Sequence, residues 1–119
     1  MTKLYLKILK MKLFDRFEKV YCINLDRRTD RLNSFNQQVE KYNLGEYIRI
    51  SAVDGKTLNT GQFQTGLKPG ELGLILTNIK IIRDAKKNNF KNILILEDDC
   101  IFTDEILNVQ NYFDALPND

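Results

Sequence analysis

The 119-residue chain contains no histidine and no tryptophan. Without imidazole, Ser-His-Asp and Cys-His nucleophiles, histidine general acid–base catalysis and every zinc site that needs a histidine ligand are excluded. Without indole, one common platform for stacking bases is missing. The two cysteines, Cys22 and Cys100, match no zinc or redox spacing and are too few for a secreted disulfide scaffold. Each lies in or just after an apolar run, where a reduced thiol serves as a small core residue; a bridge or a reactive thiol is the alternative. No apolar run approaches the roughly 18 residues of a membrane span. The first residues carry positive charge but no continuous apolar stretch and no small-residue cleavage site, so they do not read as a signal peptide. A charge imbalance is missing too. With 18 Lys+Arg against 16 Asp+Glu the net charge is +2, which does not point to nucleic acid.

The residues that are present suit one domain. Apolar residues make up 43% and charged residues 29%, enough to bury a modest core and too apolar for a disordered chain. Residues 1–18 read as an appended, helical segment. Leu4, Ile8 and Met11 fall at helical spacing among Lys3, Lys7, Lys10 and Lys12. Such a helix packs on its own domain or frays, or it lies on a membrane surface or a partner. Residues 19–119 then form the domain proper.

The pattern within it alternates strand and helix. Residues 19–26 are nearly continuous and β-prone through Val20, Tyr21, Cys22, Ile23 and Leu25, as in a strand buried on both faces. A helix follows, with Leu32, Phe35, Val39 and Tyr42 at three- and four-residue steps, Thr29 or Asp30 as cap and Gly45 as stop. Residues 47–53 predict a second strand, and 54–70 a long Gly-rich loop of the kind that often carries function. A helix is predicted over about 70–88. Its main stripe is Leu72, Ile75, Leu76, Ile79 and Ile82, and Leu74 and Ile81 on another side make it largely buried. Residues 91–96 predict a third strand ending in Glu97-Asp98-Asp99, and residues 103–115 a short helix capped by Thr103. The order β-α-β-loop-α-β-α implies a parallel α/β sheet with right-handed crossovers.

Polar clusters follow each predicted strand, on the rim where open α/β sheets bind ligands. Glu97-Asp98-Asp99 are carboxylates that repel one another unless a cation such as Mg²⁺ or Mn²⁺ neutralises them; alternatively they cap the next helix and face solvent. Asn24, Asp26, Arg27, Arg28, Asp30 and Arg31 offer guanidinium forks for phosphate and polar groups for a base or ribose, or form an exposed, salt-bridged helix start. Asp54-Gly55 is a third cluster or a plain turn.

These segments resemble, in order, the motifs of glycosyltransferase family 25, which includes lipopolysaccharide-biosynthesis and procollagen galactosyltransferases. The stretch from Val20 to Arg31 resembles the family's opening motif. Ala52-Val53-Asp54-Gly55 is similar to its Ala-Val-Asp-Gly, Gly70-Glu71-Leu72-Gly73 to its Gly-Glu-Ile-Gly, and Leu96-Glu97-Asp98-Asp99 to its Leu-Glu-Asp-Asp. The resemblance implies a GT-A-like (Rossmann-like) parallel sheet, here its nucleotide-binding half. It implies transfer of a hexose, galactose or glucose, from a UDP-sugar to a glycan or protein hydroxyl with inversion. It also implies Mn²⁺ (or Mg²⁺) held first by Asp99 and then by Glu97 and Asp98, with Asn24, Asp26, Arg27 and Asp54 lining the donor nucleotide. No residue is assigned as the base.

Two departures accompany the resemblance. The family's Ser-His after Gly-Glu-Ile-Gly is Thr77-Asn78 here, and only 20 residues follow Asp99, whereas the family domain runs well beyond its acidic motif. A C-terminally truncated half is the corresponding expectation, with an exposed sheet edge that invites self-association. A relative that binds nucleotide-sugar or a partner without turnover is the alternative. A phosphoacceptor signalling domain is disfavoured, because its acidic pair follows the first strand and here the pair lies near the chain end. The expected location is the cytoplasm or the cytoplasmic face of a membrane.

Overall fold

In a computed structural model the chain is described over residues 11–58 and 66–117. Three strands, β1 (Lys19–Asn24), β2 (Ile48–Ser51) and β3 (Ile93–Glu97), form a parallel sheet in the order β2-β1-β3. Three helices, α1 (Thr29–Lys41), α2 (Pro69–Lys87) and α3 (Ile106–Asp114), alternate with them. Tyr21 of β1 pairs with Ile48 of β2 and with Ile95 of β3. The predicted element order and the parallel α/β class are both present.

Strand β1 is central, and residues Val20–Asn24 are all buried. Winding reverses at β1, so right-handed crossovers carry α1 and α2 to opposite faces. On one face Val20 packs with Leu13, Phe14 and Leu44, flanked by Val39 of α1, Leu94 and Leu96 of β3, and Ile106, Val109 and Phe113 of α3. On the other, Tyr21 and Ile23 pack with Ile81 of α2, Ile50 and Ile95. Phe35, the fully buried residue of α1, meets the Tyr47 ring edge-on at 5.1 Å.

Several boundaries shift. Strands β1 and β2 end earlier than predicted, at Asn24 and Ser51, because the following residues turn outward to form the rim. Helix α1 ends at Lys41, before Gly45, and Asn43 takes the left-handed conformation at φ 48°. Helix α3 starts at Ile106 rather than near Thr103, whose carbonyl accepts the Ile106 N–H. Residues 13–16 form a 3-10 turn, and Leu13 and Phe14 are buried, so packing crosses the boundary drawn at residue 18. The helical stripe read at Leu4 and Ile8, and part of the 54–70 loop, lie outside the described residues.

The larger correction concerns α2. Its buried face is Leu72, Gly73, Thr77, Ile81 and Ala85, whereas Ile75, Ile79 and Ile82 of the predicted stripe are exposed. The helix therefore meets residues 53–55 closely through Gly73 and Thr77, and packs on the sheet through Ile81.

The central strand sets an alkaline limit. The Tyr21 hydroxyl donates to Asp84 Oδ2 at 2.8 Å, and burial together with that carboxylate pushes its pKa up to about 12. Burial, reinforced by the negative charge of Asp98, likewise pushes the Cys22 thiol up to about 12. Both groups stay neutral in the fold at pH values where the unfolded chain ionises them. Their contribution is therefore complete below about pH 9 and is lost as pH rises towards 12. Thermal melts should show a falling Tm above pH 9, with native Cys22 inert to thiol reagents at pH 8.5. A flat profile to pH 11 would contradict this burial. Among the described residues, no helix is long and apolar enough to cross a membrane.

Candidate functional site

The C-terminal ends of the three strands enclose a cavity of about 490 Å³. Ile23 lies near the end of β1 and Leu25 follows it, Ala52 to Lys56 follow β2, Glu97 ends β3 and Asp98 follows it, and Pro69 and Gly70 open α2. Arg27, Arg31 and Lys56 line it as cations, and Asp54, Glu97 and Asp98 as anions. Proline at the first helical position sets φ where no N–H is needed, and the free N–H groups of that first turn favour an anion.

The cavity floor depends on two glycines. A Cβ at Gly55 would lie 2.0 Å from the Pro69 carbonyl oxygen, and one at Gly73 2.5 Å from that of Val53. Residues 53–55 and the start of α2 thus touch backbone to backbone. Buried Thr77 fastens the same junction: its hydroxyl accepts the Val53 N–H at 2.9 Å and donates to Gly73 O at 2.8 Å. Asn78, where the family carries histidine, donates to Leu74 O on its own helix.

Beneath the rim a polar network joins the strands. Asn24 is 1% exposed. Its amide nitrogen donates to Asp98 Oδ2 at 2.7 Å and to Arg28 O at 3.0 Å, and its amide oxygen accepts from Arg49 Nε at 2.9 Å. It therefore holds β3 and β2 to β1 and leaves no side-chain group free. Arg49 also donates from Nη2 to Asp26 Oδ1, which accepts the Ser51 hydroxyl at 2.8 Å as well. These bonds hold the Asp26 carboxyl below its ordinary range.

The expected site residues thus separate. Arg27, Asp54, Glu97 and Asp98 meet in the cavity; Asn24 lies under it; Asp26, on the β2 side, and Asp99, beyond β3, are not among its lining. Arg27 Nε donates to Asp54 Oδ2 at 3.1 Å, and Asp54 Oδ1 accepts the Lys56 N–H at 3.1 Å; both bonds lower the Asp54 pKa, the backbone bond first. Arg31 Nη1 lies 3.8 Å from Asp98 Oδ1. Among the described residues, no three acidic or cysteine side chains converge to hold a metal. Glu97 and Asp98 are the two carboxylates of the acidic run that line the cavity. Sequence reading missed Arg49 and Thr77. The signal for Arg49 was a cation between the two isoleucines of a short strand.

A parallel α/β sheet whose winding reverses at its central strand, with a charged cavity at the reversal, defines the Rossmann-like class. The profile of Glycosyltransferase family 25 (LPS biosynthesis protein) matches residues 17–118, and the chain belongs to that family. Procollagen galactosyltransferase 2 of Mus musculus is 28% identical over 102 residues, covering 72% of this chain and 16% of the relative. Procollagen galactosyltransferase 1 of Danio rerio is 31% identical over 102 residues, covering 72% and 17%. A glycosyltransferase 25 family member of Drosophila pseudoobscura pseudoobscura is 29% identical over 101 residues, covering 71% and 16%. The chain thus spans about one sixth of the length of these relatives. No solved structure matches it.

Proposed function

We propose that the chain is the donor-binding part of a glycosyltransferase that moves a hexose, galactose or glucose, from a UDP-sugar to a hydroxyl of a glycan or protein. The observation that carries this is the convergence of Arg27, Asp54, Glu97 and Asp98, from three separate family motifs, in one strand-end cavity. The Arg27 and Arg31 guanidiniums suit a diphosphate, which they reach by exchanging a carboxylate partner for phosphate oxygens. Asp54 holds Arg27 until then, and Asn24 fixes the Asp98 carboxylate. Glu97 and Asp98, rather than Asp99, are the residues to hold Mn²⁺ (or Mg²⁺), which would neutralise charge on the departing diphosphate. A second reading, donor binding without transfer, draws on the lack of a third converging ligand among the described residues.

Calorimetric titration of UDP tests the proposal. Binding should require Mn²⁺ and weaken at least about tenfold in Asp98→Asn and in Glu97→Gln, while Asp99→Ala binds as the parent does. A folded chain that binds no UDP overturns the proposal. Equal loss in Asp99→Ala returns the metal to the residue first expected. Release of hexose from a UDP-sugar separates transfer from binding alone.

A further inference from the structure

The described residues 98–105, between β3 and α3, form neither strand nor helix, yet Asp98 at their start lines the cavity. One face of α1, continued onto its cap, holds them. Arg31, Phe35, Gln38 and Tyr42 follow one another at steps of four, three and four residues, which sets them on a single face. Their partners run along the segment in the same direction. Arg31 Nη1 lies 3.8 Å from Asp98 Oδ1, the Phe35 and Phe102 ring centroids are 6.2 Å apart, and the Tyr42 hydroxyl donates to Asp104 Oδ1 at 3.0 Å. Gln38 makes the closest contacts. Its amide nitrogen donates to Cys100 O at 2.9 Å, and its amide oxygen accepts the Phe102 N–H at 2.6 Å. These partners fix which way the amide points, since a carbonyl takes only the nitrogen and an N–H only the oxygen. One side-chain amide thus does for residues 100–102 what a residue of a neighbouring parallel strand would do.

We propose that Gln38 is a positioning residue of the donor cavity and acts through Asp98, a role that rests on the donor-binding reading. The Asp98-Asp99 turn is held on both sides. Before it, the Asp98 N–H donates to Ile23 O at 3.1 Å; after it, Gln38 pins residues 100–102 to α1. Within it, the Cys100 N–H closes on Glu97 O at 3.0 Å, which shapes the turn without tying it to a helix. The Asp98 carboxylate itself is held by Asn24 and faced by Arg31. Arg31 is the contact for which a diphosphate competes, because phosphate oxygens suit its fork as well as a carboxylate does. Gln38, Cys100 and Phe102 do not line the cavity, so an arriving anion leaves their bonds intact. Those bonds keep the turn, and with it Asp98, in place when Arg31 changes partner.

Gln38→Met tests this, since it keeps the length of the side chain and removes both bonds. Hydrogen exchange reads the contact: the Phe102 amide should exchange at least about tenfold faster than in the unaltered chain, while the amides of β1 stay protected and show the fold intact. Calorimetric titration of UDP with Mn²⁺ reads the role. Affinity should fall about tenfold in Gln38→Met, but less than about twofold when the same change is added to Asp98→Asn, because the group that Gln38 positions is then already gone. A loss of equal size in both backgrounds would mean that Gln38 supports the fold at large and not Asp98. Unchanged affinity in Gln38→Met would mean that the turn holds without it. Either result overturns the proposal while leaving the donor-binding reading standing. A folded, unaltered chain that binds no UDP overturns that reading instead, and the role of Gln38 with it.

Discussion

Alanine at Gly55 should lower stability by about 2–4 kcal/mol and remove donor binding, and alanine at Gly73 should act in the same direction. At Gly55 the added carbon would lie 2.0 Å from Pro69 O, 2.3 Å from its carbonyl carbon and 2.8 Å from Gly70 N. All three are backbone atoms, so no side-chain rotation relieves the overlap. The start of α2 must move away from residues 53–55, and the cavity wall moves with it. At Gly73 the clash is with Val53 O at 2.5 Å, and retreat there would stretch the Thr77 bond to the Val53 N–H. Gly70 is the control. Nothing lies within 4 Å of a Cβ there, so Gly70→Ala should stay within about 1 kcal/mol of the parent and can stabilise. Urea unfolding of the three variants decides the matter. If Gly55→Ala unfolds at the parent midpoint, the backbone contact is not a determinant of the fold.

This junction also shows where sequence reading fails. Elements whose character is local were legible: Val20 to Ile23 as a buried strand, the Leu32-Phe35-Val39 face of α1, and the apolar run of β3. The face of α2 was not. A hydrophobic stripe selects isoleucines, but α2 meets residues 53–55 through Gly73 and Thr77, where the separation of the backbones, not apolar area, governs the contact.

The motifs were similarly half informative about the site. They located its rim, because strand ends in a parallel sheet share one side. Roles within the rim depend on which way each side chain turns at a strand end. Strand β3 ends at Glu97 and the chain turns at Asp98 and Asp99, so Asp98 reaches Asn24 and the cavity whereas Asp99 is not part of its lining. Asn24 was read as a ligand-binding residue because it belongs to the polar cluster at the end of the first strand. In the fold it is the crosspiece to which Arg49, Arg28 and Asp98 attach, and which residue Arg49 would pair with could not be foreseen because that partner is 25 positions away.

Replacing that crosspiece should have the second large effect. Asn24→Leu keeps the branching at Cγ but leaves Asp98 Oδ2, Arg28 O and Arg49 Nε without their buried partner, at a cost of about 2–4 kcal/mol. Asn24→Asp is more discriminating. It sets a carboxylate at the position now 2.7 Å from Asp98 Oδ2, where two negative charges cannot both persist, so one of the pair keeps its proton. A carboxyl whose folded pKa is raised contributes stability that is complete below its unfolded value, about 4, and is lost as pH climbs through the raised value. Asn24→Asp should therefore be closest to the parent near pH 4–5 and fall progressively behind it towards pH 8, whereas the deficit of Asn24→Leu should not grow in that way. Parallel denaturation curves at pH 5 and pH 8 read the difference directly. A deficit for Asn24→Asp that stays constant with pH would mean that Asn24 and Asp98 are not in contact. Asp98 would then owe its place in the cavity to the strand alone.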